Sequence, residues 1–264
     1  MGARPPRLLT IAGSDCSGGA GIQADLKTFA AHGGYGMSVV TAVTAQSTLG
    51  VTAVHAVPPE VVAAQLAAVI DDLGVDAVKV GMLASAATVE VVVAALAALR
   101  GVPIVVDTVM VAKGGAPLLA DDAVATLRDR LLPLATLVTP NIPEAAKLAD
   151  LPVADEQQRL AAARRLAAAG CAVLLKGGHG GGDDLVDLLV DGAGVDRFTH
   201  PRQHTRALHG TGCTLSAAIA ARLARGEPLA LAVGAAIAYV QEAIATAPGF
   251  GRGHGPLNHS LFRR

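Results

Sequence analysis

The segment Asp76–Met110, DAVKVGMLASAATVEVVVAALAALRGVPIVVDTVM, carries two different hydrophobic periods. Asp76–Val80 and Pro103–Asp107 are short, β-branched runs and read as strands. Ser85–Leu99 between them is rich in Ala, Val and Leu and long enough for a helix. Strand, helix and strand in that order form a β-α-β unit, whose two strands run parallel.

The same alternation extends in both directions. Arg7–Ala12 reads as a strand and Gly19–His32 as a helix with Ile22, Leu26, Phe29 and Ala30 on one face. Met37–Ala45 and Val51–Val57 read as strands. Pro59–Asp72 reads as a helix opened by proline, which a first turn tolerates because its N–H would be unbonded there anyway. Further on, Asp121–Leu131, Ile142–Ala149 and Glu156–Ala169 read as helices, and Thr136–Val138 and Ala172–Lys176 as strands. Leu185–Val190 and Val195–His200 form a hairpin around Asp191-Gly192. Gly212–Ala224 and Pro228–Thr246 are the last helices. This order predicts an α/β protein of three layers, α/β/α, with a central, mainly parallel sheet. No linker or repeat divides residues 1–264, so one domain is expected.

Composition narrows the function classes. The formal net charge is -1 and aromatics are 2% of the residues, with no basic run, so no nucleic-acid partner is expected. No uninterrupted apolar stretch approaches the ~20 residues of a membrane span. The apolar run after the basic N-terminus, Leu8 to Ala12, is too short for a signal sequence. Cys16, Cys171 and Cys213 are the three cysteines and contain no C-x-x-C pair, which fits a reducing, cytoplasmic setting.

In a mainly parallel sheet, ligands bind beyond the carboxyl ends of the strands. The unusual residues gather there. Gly13-Ser14-Asp15 follows the first strand, Gln46 the second, Gly81-Met82 the fourth, Asp107-Thr108 the fifth, Asn141 the sixth and Gly177-Gly178-His179 the seventh.

Four segments carry candidate chemistry. His209-Gly210-Thr211-Gly212-Cys213-Thr214 places two glycines just before a helix. Backbone N–H groups at such a start make an anion cradle, reinforced by the helix dipole. A thiol in that first turn, Cys213, has the setting for a lowered pKa and for accepting a proton from a hydroxyl; a small buried cysteine is the plainer alternative. Gly13–Asp25 is a glycine-rich turn that lets backbone approach a small ligand, and Asp25 is either part of that site or a solvated helix acid. Asn141-Ile142-Pro143-Glu144 is either an N-cap with a first-turn acid or an amide–carboxylate pair suited to Mg²⁺ through water. Lys176 ends a strand, where it can meet a phosphate or simply face solvent. No G-x-x-x-x-G-K-[ST], no G-x-S-x-G and no histidine pair at metal-ligand spacing occurs.

Taken in order, these segments resemble the hydroxymethylpyrimidine/phosphomethylpyrimidine kinases of thiamine biosynthesis, in the ribokinase-like superfamily. The resemblance runs from about Leu9 to His259. It rests on Ala12–Asp15, Ser17–Thr28, Thr44–Gln46, Lys79–Leu83, Asp107–Met110, Thr139–Ala145, Lys176–His179, His209–Thr214 and Gly253–His259. It implies an ATP-dependent kinase that phosphorylates the hydroxymethyl group and then the monophosphate. It also implies that Gln46 and Asp25 hold the pyrimidine, with Gly13, Ala20, Met82 and Val109 lining the pocket. Asn141, Glu144 and Asp107 would organise Mg²⁺ and its waters around ATP, with Asp107 and Glu144 as the metal's carboxylates. Lys176, Thr211 and the Gly210–Gly212 amides would meet phosphates, and Cys213 would stand where most of the superfamily has a catalytic aspartate. A homodimer is implied too. A pyridoxal/pyridoxine kinase of the same fold and an inactive ligand-binding regulator are the alternatives. Two positions depart from the pattern. Cys16 replaces a proline, which is expected to loosen the first loop, and Ala112 replaces the lid cysteine of relatives that also phosphorylate pyridoxal.

Overall fold

The computed structural model describes residues 4–111, 115, 118–178 and 183–261. Ala112 and His179 lie outside the described residues.

The β-α-β unit forms as its sequence predicts. β4 (Ala77–Val80) and β5 (Ile104–Val106) pair in parallel and flank α3 (Ala86–Leu96). Ser85 caps α3 by accepting the Thr88 N–H at 3.2 Å, which meets one of the amides that every helix start leaves unbonded.

Around this unit lie β1 (Arg7–Asp15), α1 (Gly21–Ala31), β2 (Tyr35–Ser47), β3 (Gly50–Ala56) and α2 (Pro59–Asp72) before it. After it come α4 (Asp121–Thr126), β6 (Leu137–Val138), α5 (Ile142–Ala149), α6 (Glu156–Ala167), β7 (Ala172–Leu175), β8 (Asp184–Asp191), β9 (Gly194–Pro201), α7 (Thr211–Leu223) and α8 (Leu229–Ala245). The nine strands form one sheet in the order β3-β2-β1-β4-β5-β6-β7-β8-β9. Pairing is parallel from β2 to β7, and the hairpin partners β3, β8 and β9 add antiparallel edges.

Both faces of the sheet are covered, which is why its strands are continuous apolar runs. Leu9, Ile11, Val78, Val80, Val106 and Val173 point to a core shared with α2, α3, α5 and α6. Their neighbours Leu8, Ala77, Val105 and Leu174 point the other way, to Phe29 of α1 and to α7 and α8. The result is the three-layer α/β/α arrangement.

Three local departures matter. α1 buries Ile22, Ala24, Asp25, Thr28 and Phe29, whereas Ala30 is exposed. β1 runs three residues beyond Ala12, with a register shift between Ala12 and Ser14. The helix expected over Asp121–Leu131 is α-helical only to Thr126 and continues as a π-helical turn, Leu127–Leu131, and a 3₁₀ turn, Leu132–Leu134. Pro133 supplies no N–H to the carbonyl four residues earlier, so the regular ladder ends there.

Candidate active site

A cleft of about 800 Å³ lies along the carboxyl rim of the sheet. Its walls include Gly13, Ala20, Gln46, Met82, Asp107, Val109, Asn141, Glu144, Lys176, Gly210, Thr211, Gly212 and Cys213. Of the sequence-predicted site residues only Asp25 is not on the wall.

The glycine-rich loop is organised by Asp15. Its Oδ1 accepts the Ser17 N–H at 2.8 Å, and its Oδ2 accepts from the Ala20 N–H at 2.9 Å, the Ser17 hydroxyl at 3.0 Å and His209 Nε2 at 2.8 Å. Burial pushes this carboxyl upward, but the bonds from His209 and Ser17 outweigh it and hold it at about 2. Cys16 does not leave the loop loose. Its thiol donates to the Gln46 carbonyl at 3.2 Å and accepts the Gln46 N–H at 3.3 Å, so it ties the loop to the end of β2. Gly13 lies at the β1 irregularity, where a Cβ would come within 2.9 Å of Met82 Sδ.

The glycine turn opens α7. Gly210 has φ 83°, and a Cβ there would overlap the Gly19 carbonyl oxygen; the turn therefore closes directly onto the glycine-rich loop. No side chain caps this helix start and its first turn holds no acid, which leaves its amides available to an anion. At Gly212 a Cβ would stand 3.2 Å from Asp107 Oδ2 and 3.4 Å from Lys176 Nζ. The anion cradle thus faces an ion pair. Lys176 Nζ lies 3.0 Å from Asp107 Oδ1, which also accepts from Thr139 Oγ1 at 3.2 Å. Burial pushes the Lys176 ammonium down, but Asp107 and Glu144 overcome that and raise it, so it stays charged.

Asn141 and Glu144 form a capping box at α5: Asn141 Oδ1 accepts the Glu144 N–H and Glu144 Oε2 accepts the Asn141 N–H, both at 2.9 Å. Thr108 Oγ1 also donates to Glu144 Oε2, at 3.0 Å. The helix-cap reading is therefore satisfied, and the same two residues still face the cleft. Burial raises the Glu144 carboxyl against the pull of Lys176.

Two expectations are corrected. Asp25 is neither a solvated helix acid nor a wall residue. Its fully buried side chain pairs with the fully buried Lys79 at 2.9 Å and accepts from Thr10 Oγ1 at 2.6 Å, both on Oδ2, while Oδ1 has no partner. Burial pushes Lys79 down, but Asp25 outweighs it and keeps the ammonium charged. Cys213 sits in the first turn of α7, yet its thiol is pushed up to about 11. Burial is the main cause, with the Asp25 and Asp107 carboxylates adding to it; Lys79 and the Gly21 amide pull it down by less. Cys213 is a neutral thiol, because desolvation exceeds the helix-dipole effect.

The cleft also holds a set that the sequence does not reveal. Asp187 Oδ1 accepts the Gly177 N–H at 2.6 Å, and Oδ2 lies 3.1 Å from His200 Nε2. His200 Nδ1 lies 3.0 Å from Gln241 Nε2, and Gln203 Nε2 donates to Gln241 Oε1 at 2.8 Å. Asp187, His200, Gln203 and Gln241 all line the cleft. Only the hairpin register shows this: Asp187 pairs with Phe198, which puts His200 diagonally across on the same face.

The layered sheet, with its cleft at the carboxyl rim, is a ribokinase-like fold. It superposes on the pyridoxal kinase of Staphylococcus aureus in complex with AMP-PCP with a TM-score of 0.91 at 34% identity, covering 99% of this chain and 96% of that one. The profile of the phosphomethylpyrimidine kinase family matches residues 15–258, and the chain belongs to that family. It is 52% identical over 255 residues to the hydroxymethylpyrimidine/phosphomethylpyrimidine kinase of Escherichia coli, covering 95% of this chain and 96% of the relative. It is 54% identical over 255 residues to the thiamine biosynthesis bifunctional protein ThiED of Geobacter sulfurreducens, with 96% of this chain aligned. The chain spans about half of that relative, 52% of its length.

Proposed function

We propose that this chain uses ATP to phosphorylate 4-amino-5-hydroxymethyl-2-methylpyrimidine and then the resulting monophosphate, as a step of thiamine biosynthesis. The observation that carries the reading is the uncapped Gly210–Cys213 helix start facing the Lys176–Asp107 pair. This is a preformed seat for a transferring phosphoryl group, with Gln46 and Met82 on the same cleft wall. Phosphoryl transfer needs positioning and charge stabilisation more than covalent help. In this reading the Gly210–Gly212 amides, Thr211 and Lys176 hold phosphate oxygens. Gln46 holds the pyrimidine against Gly13, Ala20, Met82 and Val109. In this reading Asp25 acts on the ring only through Lys79, its buried partner, which lines the cleft.

Asp107 and Glu144 fit Mg²⁺ as a pair of hard oxygen donors. Each commits one oxygen to protein partners, Asp107 Oδ1 to Lys176 and Thr139 and Glu144 Oε2 to Asn141 and Thr108. Magnesium is commonly held by one or two carboxylates plus waters and nucleotide phosphates, and Asn141 would orient such a water. When bound it would neutralise charge on the phosphates. The neutral thiol of Cys213 supports a role in positioning the attacking hydroxyl, with proton acceptance only after its environment changes on ligand binding.

A pyridoxal kinase activity is the second reading, supported by the S. aureus superposition. Incubating the purified protein with ATP and either ring, and measuring ADP, separates the two. Turnover of pyridoxal alone contradicts the first reading; tight pyrimidine binding without ADP favours an inactive regulator. A cytoplasmic homodimer is part of the proposal. Among the described residues no helix is long and apolar enough to cross a membrane. Val43, Leu49 and Val54 of the β2–β3 hairpin are exposed apolar side chains that a second copy would cover. Light scattering in solution tests the dimer.

A further inference from the structure

The hydrogen-bond inventory around Gln46 determines which way its amide points. Asp15 Oδ2, on a carboxylate, can only accept, so His209 Nε2 at 2.8 Å must carry a proton. Gln46 Nε2 lies 3.3 Å from that same His209 nitrogen, and Gln46 Oε1 lies 3.1 Å from Thr44 Oγ1. That arrangement opposes donor to donor at His209. It also asks two things of one Thr44 hydroxyl proton, because Thr44 Oγ1 lies 3.0 Å from the Ser14 carbonyl, which only accepts. Rotating the amide by half a turn removes the donor–donor contact and the double demand on Thr44: Gln46 Oε1 then takes a minor, bifurcated share of the single His209 Nε2–H, whose main acceptor at 2.8 Å is Asp15 Oδ2, and Gln46 Nε2–H donates to Thr44 Oγ1. Which end of such an amide is oxygen is decided by its network. Both His209 and Asp15 are buried, at 5% and 2% exposure, so water does not relax the requirement.

We propose that Asp15 and His209 are positioning residues that fix the orientation of the Gln46 amide and thereby determine which way round an aminopyrimidine ring binds. The inference rests on the reading of Gln46 as the pyrimidine-holding residue. An amide so fixed keeps one oxygen lone pair and one N–H for a ligand. These match a ring nitrogen beside an exocyclic amino group, the pairing by which glutamine reads adenine. The oxygen takes the amino N–H and the nitrogen serves the ring nitrogen. Reversing the amide would exchange the two and turn the ring over, carrying the hydroxymethyl group next to the amino group away from the Gly210–Cys213 turn. A pyridoxal-type ring, whose hydroxyl and ring nitrogen are separated by a methyl-bearing carbon, has no such adjacent pair. The chain Asp15–His209–Gln46 is therefore a specificity device as well as an orienting one.

The test compares the hydroxymethylpyrimidine with an analogue whose amino group is replaced by hydrogen, by calorimetry on the full chain. The wild type should favour the amino compound by ~10–100-fold, the discrimination of one well-made bidentate contact. H209L, which removes the donor, should reduce that ratio to about 1–3 with a further loss in kcat, and H209Q, which restores an N–H near the same place, should recover most of it. A purely structural role for His209 would weaken both ligands equally and leave the ratio intact, which would overturn the proposal. Nitrogen-15 NMR of the free wild type supplies a readout independent of any variant's folding: His209 should be protonated at Nε2, and an Nδ1–H tautomer with a bare Nε2 would overturn it. Failure of the wild type to bind either ring would remove the parent reading and this one together. Binding with an unchanged ratio in a folded H209L protein removes this one alone.

Discussion

Substituting Gly212 by alanine should separate activity from stability. The residue lies in the first turn of α7, and its φ lies outside the left-handed region, so alanine is compatible with the backbone. Glycine in a helix is less stable than alanine by about 0.5–1 kcal/mol. The added methyl would stand 3.2 Å from Asp107 Oδ2 and 3.4 Å from Lys176 Nζ. Asp107 cannot recede freely, because Lys176 and Thr139 hold its other oxygen. The methyl would therefore occupy the space above the ion pair where a phosphoryl oxygen has to sit. Loss of one well-placed oxyanion donor typically costs ~10²–10³ in rate, and kcat should fall by that order. The melting temperature should stay level or rise by ~1–3 °C, the shift expected when ~0.5–1 kcal/mol is added to a domain of this size. Single-turnover ADP formation and a thermal melt on the same preparation check both halves. A variant with wild-type kcat would show that phosphate does not approach this turn. A variant that loses several degrees would show that crowding against Asp107 dominates.

Further outcomes follow from other residues. Lys79→Met alone should cost ~3–5 kcal/mol in a denaturant titration, because it leaves Asp25 charged and unpaired in the interior, whereas Lys79→Met with Asp25→Asn should cost much less. Asp15 is held at about 2 when folded, below its ordinary 3.8. Its share of stability, about 2 kcal/mol, is therefore present above pH ~4 and lost as pH falls toward 2, and Asp15→Asn should flatten that part of an acid unfolding curve. Cys213→Ala should lower kcat far more than it weakens pyrimidine binding; an unchanged kcat would take the thiol out of the mechanism. Alkylation of Cys213 should be slow at neutral pH and accelerate as pH rises toward 11, the level to which burial pushes the thiol, and fast labelling at pH 7 would contradict a neutral sulfur. Gln46→Ala should chiefly raise the pyrimidine Kd, read by calorimetry.

Much of the layered fold could be read in the sequence because a sheet buried on both faces writes continuous apolar runs, and α3, α5 and α6 begin with the side-chain caps Ser85, Asn141 and Asp155. α2 and α5 carry the bounds expected of them, Pro59–Asp72 and Ile142–Ala149, each set by a proline in its first turn. The strand ends were less legible. β1 and β2 run on to Asp15 and Ser47, so several rim residues are still paired to neighbouring strands rather than in loops. Asp25 had a local signal that its charge obscured. It is three residues after Ile22 and four before Phe29, on the face that α1 buries. Its partner Lys79 lies 54 positions away, and that pairing is visible only in three dimensions. The thiol of Cys213 followed the same logic in reverse: its place on the helix was legible, but its pKa is set first by burial and then by Lys79 and the carboxylates of Asp25 and Asp107, all of which only the tertiary packing brings together. The Asp187–His200–Gln241 set required a hairpin register and the packing of α8, neither of which leaves a local motif.

The most direct test is the stoichiometry and product of the reaction itself. Purified protein, ATP, Mg²⁺ and limiting 4-amino-5-hydroxymethyl-2-methylpyrimidine should yield two ADP per pyrimidine, with the diphosphate as the final species by mass spectrometry and the monophosphate appearing transiently. Formation of ADP with pyridoxal and none with the pyrimidine would contradict the account.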